Sequence, residues 1–157
     1  MSTPITHASF SLARSFNAPP STVFQAFADH PSKKKWFAGP PEWHQGESSL
    51  DFRVGGRETD VGGPEGGFVS EMHATYYDIV VDERIVYTYE MLLDGKRVSV
   101  SLSTLEFEPD GAGTLLTLTE QGAFFTGTRE SDQAQVAGRK QGTSDLLDAL
   151  RAFVEGS

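Results

Sequence analysis

The chain has 157 residues, enough for one domain with its own core and too few for two. Thirteen Lys and Arg against 22 Asp and Glu give a formal charge of −9, the wrong sign for a phosphate-binding surface, so nucleic acid is not an expected partner. The absence of Cys excludes disulfides, thiolate metal sites and a cysteine nucleophile. No stretch approaches the roughly 18 apolar residues of a membrane span, and MSTPITHASF lacks the basic-then-apolar order of a secretion signal. A single cytoplasmic domain over residues 1–157 is expected.

In chain order, residues 7–16 alternate Phe10, Leu12 and Arg14 against Ser9, Ser11 and Ala13, a strand pattern. From Pro20, the positions Val23, Phe24, Phe27 and Ala28 form a helical stripe that Pro31 is expected to stop. The following SKKKWFAGPPEWHQG, with both tryptophans, reads as an irregular or single-turn connection. LDFRV, FVSEMHATYYDIVV, RIVYTYEMLL, RVSVSLSTLEFE and TLLTLTE then read as strands. Gly62 to Gly67 (GGPEGG) reads as a loop between two of them. Asp82-Glu83, Asp94-Gly95 and Pro109 to Gly113 supply tight reversals, so the strands should form an antiparallel meander.

Side-chain parity puts Ile85, Tyr87, Tyr89 and Met91 on one face. On the next strand it puts Val98, Val100 and Leu102 inward and their serine neighbours outward, then switches to Leu105 and Phe107, which predicts a bulge near Ser103-Thr104. From about Arg129 to Glu155, Val136, Arg139 or Lys140, Thr143, Leu147, Leu150 and Val154 recur with helical period, joined by Leu146 and Phe153. Gly138 and Gly142 inside that helix each cost about 1 kcal/mol against Ala, and close approach to the sheet or to a ligand is one expected reason for them, simple tolerance or a kink the other.

The residues that carry a family resemblance are FNAPPSTVFQAFADHPSKKKWF, LDFRVGGR at Leu50 to Arg57, YYDIVVDERIVYTYE at Tyr76 to Glu90, GTLLTLTEQGAF at Gly113 to Phe124, and G-x-x-x-x-L-D-x-L at Gly142 to Leu150. In this order they resemble the START-like (SRPBCC, Bet v 1-like) superfamily, in the branch similar to the C-terminal domain of the activator of the 90-kDa heat-shock protein ATPase. The resemblance implies an α+β helix-grip fold: short N-terminal helices and a curved antiparallel sheet wrapped around a long C-terminal helix, with a cavity between. Where the family usually has Gly-Trp in the last helix, this chain has Gly142-Thr143, so the cavity is expected to be wider, or refilled by Trp36 or Trp43.

Chemistry-bearing motifs are sparse. His7, His30, His44 and His73 show no metal-ligand spacing; Ser32 to Lys35 matches Ser-x-x-Lys without its companion motifs; and GGPEGG lacks the G-x-G-x-x-G order. Glu71 and His73, two apart on a strand, share a face and are the one candidate acid–base or metal pair; the plainer alternative is an exposed strand pair. Asp145 and Asp148 belong to a solvated helix face. No catalytic group, metal or cofactor is assigned. Seventeen residues are aromatic, which points to an apolar site with a few polar groups. The expected ligand-binding residues are Trp36, Phe37, Trp43, Phe52, His73, Tyr87, Tyr89, Met91, Phe124, Arg139, Thr143 and Leu147, with Phe125 beside them. The expected function is binding of a hydrophobic or amphipathic small molecule; the alternatives are a co-chaperone-like interaction domain and a cavity enzyme, a cyclase or hydrolase. A chaperone partner follows from the resemblance alone, and a homodimer through sheet edges is compatible with the pattern.

Overall fold

The computed structural model describes residues 3–156. Strand β1 (Thr6–Phe16) is followed by helices α1 (Pro20–Ala28) and α2 (His30–Trp36), then by β2 (Trp43–Leu50), β3 (Arg57–Pro64), β4 (Ser70–Val80), β5 (Arg84–Leu93), β6 (Lys96–Asp110) and β7 (Gly113–Phe124), and finally by α3 (Arg129–Glu155). The seven strands form one antiparallel sheet in the order β1-β7-β6-β5-β4-β3-β2. The expected helix-grip is therefore present, with one face of the sheet turned toward the helices and the other toward solvent.

Where the expected elements shift, local chemistry explains it. Pro31 opens α2 rather than ending α1; the break is Asp29, extended at φ −95° and ψ 115°, whose carboxylate accepts from Ser32 N at 3.2 Å and Ser32 Oγ at 2.6 Å. LDFRV is not a strand: β2 ends at Leu50, and Asp51 to Gly56 close a tight turn through Gly56 N to Arg53 O at 2.7 Å. Gly56 is required there, since a Cβ would lie 2.0 Å from Asp51 O. The stretch read as a loop at 62–67 is split: Gly62 to Pro64 extend β3, and the reversal follows them.

The parity expected of β6 is inverted. Ser99, Ser101 and Ser103 are buried and run without interruption into Leu105 and Phe107, while Val100 and Leu102 are 43% and 37% exposed. Pairing with β7 is continuous from Ser99 to Asp110, so there is no bulge at Ser103-Thr104. The irregularity lies earlier, where Met91 faces Ser99 and Leu92 faces Arg97, leaving Val98 as the extra residue.

The main core joins α1, Trp36, the lower halves of β5 to β7, and Leu147 and Leu150 of α3. Helix α3 lies over β1 and β7 and is tied down along its length. Thr128 caps its first turn by accepting from Ser131 N at 3.1 Å. The Asp132 carboxylate, fully covered by its partners, accepts from Thr6 Oγ1 at 2.9 Å, Thr126 N at 2.7 Å and Thr126 Oγ1 at 2.6 Å, and the Thr126 bonds hold it below the usual carboxylate range. Arg14 donates to Asp148 at 3.0 Å, and Asn17 N to Glu155 at 2.8 Å.

Gly138 and Gly142 do not serve close packing: both are exposed, and a Cβ at either meets nothing within 4 Å. Gly138→Ala and Gly142→Ala should therefore each stabilise the fold by up to about 1 kcal/mol. Denaturant titration checks this, and a loss of stability would show that one of these positions is constrained after all.

Candidate functional site

The concave face carries two polar clusters set among apolar side chains. In the first, Glu58 of β3 is 5% exposed and meets Lys33 of α2, whose Nζ lies 2.8 Å from each carboxylate oxygen. Tyr76 of β4 donates its hydroxyl to Glu58 at 2.6 Å, and the Lys33 ammonium lies 4.5 Å from the Phe37 ring centre. Stripping water from an ion costs several kcal/mol, so this carboxylate persists inside because a cation and a phenol together replace that water. Burial and the adjacent Glu58 charge push the Tyr76 phenol far up, so it stays a donor.

Asp60, two residues along β3, forms no ion pair among the described residues. Burial first, and then Glu58, raise its carboxyl to about 6, against a smaller opposing pull from Lys33 and Lys34.

The second cluster centres on Glu120 of β7, 4% exposed, which accepts from Tyr89 Oη at 2.7 Å and Ser103 Oγ at 2.8 Å. Arg139 of α3 completes it, donating to Tyr89 Oη at 3.2 Å and Ser99 Oγ at 2.9 Å. Its guanidinium lies 5.1 Å from the Phe124 ring centre and 5.5 Å from that of Tyr89. Burial raises Glu120 against the pull of Tyr89, Arg139 and Ser103, and raises both Tyr87 and Tyr89. Beside this cluster, Met72, Ala74 and Tyr89 form a second apolar group, separate from the main core, with Phe37, Tyr87 and Met91 packed on it.

Of the expected site residues, Phe37, Tyr87, Tyr89, Met91, Phe124 and Arg139 thus belong to the two clusters and the apolar group beside them. Thr143 and Leu147 lie on the same helix as Arg139; Leu147 is core, and the Thr143 hydroxyl turns back to Arg139 O at 2.7 Å. Trp36 and Phe52 are spent in the main core, Trp36 against Phe27 at 4.9 Å with its Nε1 on Ala26 O, Phe52 against Tyr76 at 5.2 Å. Trp43 stacks edge-on with Phe68 at 5.4 Å on the edge of the sheet. Both tryptophans are thus committed elsewhere, and neither stands in for the ring replaced by Thr143.

His73 is misplaced in the expected set. It alternates with buried Met72 and Ala74, faces the opposite side of the sheet, and meets Thr59 at 3.2 Å and Glu71 at 3.5 Å there. The Glu71–His73 pair therefore cannot act together with the concave tyrosines. Sequence reasoning missed Lys33, Glu58, Tyr76, Met72, Glu120 and the three inward serines. Glu120 was accessible from parity, since Leu116, Leu118 and Glu120 alternate on one face of β7.

A sequence profile for the family described as "Activator of Hsp90 ATPase homolog 1-like protein" matches residues 17–155. The chain belongs to this family. Among solved structures, protein Mll3558 of Rhizobium loti is 40% identical, with 96% of this chain and 99% of that one covered and a TM-score of 0.84. An uncharacterised protein from Rhizobium leguminosarum is 37% identical, with 98% of both chains covered and a TM-score of 0.89. Protein CV1439 of Chromobacterium violaceum, 24% identical with 94% and 96% covered and a TM-score of 0.74, shares the fold. No curated protein matches the chain. Among the described residues, no helix is long and apolar enough to cross a membrane.

The raised carboxyl of Asp60 sets a pH dependence. Its native form holds a proton that the unfolded chain has released between about pH 4 and 6, so its contribution to stability falls as pH rises through that window. Asp60→Asn should raise the melting temperature at pH 8, with the gain shrinking toward pH 4. Melting curves of both proteins across that range check this, and an equal gain at both ends would contradict it.

Proposed function

We propose that this protein binds a hydrophobic or amphipathic small molecule between the concave face of the sheet and α3. The observation that supports this most directly is the environment of Tyr87. It is half-buried, its ring packs on the Met72–Ala74–Tyr89 group with its centre 6.0 Å from that of Tyr89, and desolvation pushes its phenol up so that it stays a donor. Phe37 and Met91 of the same apolar group, and Arg139 beside Tyr89, are likewise half-buried. An apolar wall that includes two flexible methionines, with a few convergent polar groups, is the usual composition of a small-molecule site. Burial of ligand surface at about 25 cal/mol per Å² would supply the driving force, and the polar groups its orientation.

A co-chaperone-like role is the second reading, and it rests on membership of the Hsp90 ATPase activator-like family. It predicts that adding the protein changes the rate of an Hsp90-type ATPase.

Binding is tested with N-phenyl-1-naphthylamine, a neutral apolar probe whose emission rises in apolar surroundings. The probe should bind saturably with one site per chain. Met91→Trp, which projects into the proposed site, should weaken it at least about fivefold. Val100→Lys, on the opposite face of the neighbouring strand, should leave it unchanged. Equal effects of the two substitutions, in proteins with native melting curves, would refute this location.

A further inference from the structure

We infer that the ligand carries a neutral oxygen acceptor, a carbonyl of the ketone or ester kind, seated between Ser101 Oγ and the Arg139 guanidinium; this rests on the small-molecule reading above. Ser101 is 2% exposed, and its Oγ is the one buried side-chain polar atom among the described residues without a hydrogen-bond partner. A hydroxyl so placed stands at a cost that a bound partner removes.

Its position is defined by register. Ser101 faces Tyr89 on one side and Gly122 on the other, and Gly122 faces Ala8 on β1. The row Ala8–Gly122–Ser101 is thus a strip of small residues beside the ring of Tyr89. A Cβ on Gly122 would lie 2.8 Å from Ser101 Oγ and 3.2 Å from the Phe124 ring, so a larger residue there would crowd the hydroxyl. On the same strand, Ser99 and Ser103 flank Ser101 at two-residue spacing and are both engaged, Ser99 by Arg139 and Ser103 by Glu120.

Arg139 supplies the second donor. Two of its N–H groups are bound to Tyr89 Oη and Ser99 Oγ, leaving up to three, and none of the ion pairs among the described residues involves it. Both acceptors of Arg139 border Ser101: Ser99 two residues before it and Tyr89 directly across. The free N–H groups of Arg139 can only donate, and the Ser101 hydroxyl can donate as well as accept, so a ligand atom that meets both is an acceptor. A carboxylate is the poorer match. The Arg139 charge is already answered by Glu120 through the shared Tyr89 hydroxyl, and a second carboxylate would be stripped of water beside the first. A carbonyl oxygen takes the same donors with little desolvation.

The test uses three ten-carbon-chain probes in competition with N-phenyl-1-naphthylamine on the intact protein: decan-2-one, its shape mimic 2-methyl-1-decene, and decanoate. The ketone should displace the probe at a concentration at least about tenfold lower than the alkene, the discrimination expected of a hydrogen bond to a charged donor, and decanoate should be no better than the ketone. Ser101→Ala and Arg139→Met, with native melting curves, should each bring ketone and alkene toward equality while the alkene still competes. Equal ketone and alkene in the wild-type protein, or decanoate ahead of the ketone, overturns the carbonyl assignment and leaves the apolar site standing. Failure of all three probes to compete overturns both.

Discussion

The constraint on which this structure turns is the burial of carboxylates on the inner face of a single sheet. Glu58 and Glu120 are each about as covered as the core phenylalanines, and each is held by a tyrosine hydroxyl and reached, directly or through that tyrosine, by a cation from a helix. Such clusters are seldom the most stable way to fill an interior; apolar residues of the same volume often do as well or better. Their presence therefore argues for what they do to the space around them. They line it with oriented donors and acceptors, and they fix α2 and α3 at the two ends of the concave face through Lys33 and Arg139.

The placement of α3 follows from the same economy of contacts. Its main anchorage is to β1 and the residue after it, through Thr6–Asp132, Arg14–Asp148 and Asn17–Glu155, with Leu147 and Leu150 sunk in the core below. The strands farther across the sheet, β4 and β5, carry Met72, Ala74, Tyr87, Tyr89 and Met91, which pack with Phe37 into a separate apolar group. A helix latched to one side of a curved sheet leaves the other side to be closed by side chains. Those side chains are methionines and tyrosines, the first adaptable in shape and the second able to present a hydroxyl.

Much of the fold was legible because period and turn chemistry act locally. Asp94-Gly95 adopts positive φ at both residues, as a two-residue hairpin turn requires, and the stripe ending in Leu147, Leu150 and Val154 became α3. The family likeness, read from five short motifs, agrees with the profile match over residues 17–155. The errors share a cause. Reading apolar as inward placed Val100 and Leu102 inside, when the inward side of β6 is a serine ladder that serves Arg139 and Glu120. Polarity alone cannot reveal that a strand's polar face is the buried one; only the cross-strand partners can. His73 is a second case: a titratable residue beside aromatic ones in the sequence, it alternates with buried Met72 and Ala74 and so lies on the other face of β4.

The most direct test of a ligand chamber on the concave face uses methionine as a built-in reporter. Apart from Met1, the chain has only Met72 and Met91, and both lie in the apolar group beside Tyr87. With 13C-methyl-labelled methionine, titration of N-phenyl-1-naphthylamine should shift the Met72 and Met91 methyl resonances and give nuclear Overhauser contacts between them and the probe's aromatic protons. Saturable binding that leaves both methyls unmoved would place the site elsewhere and contradict the account.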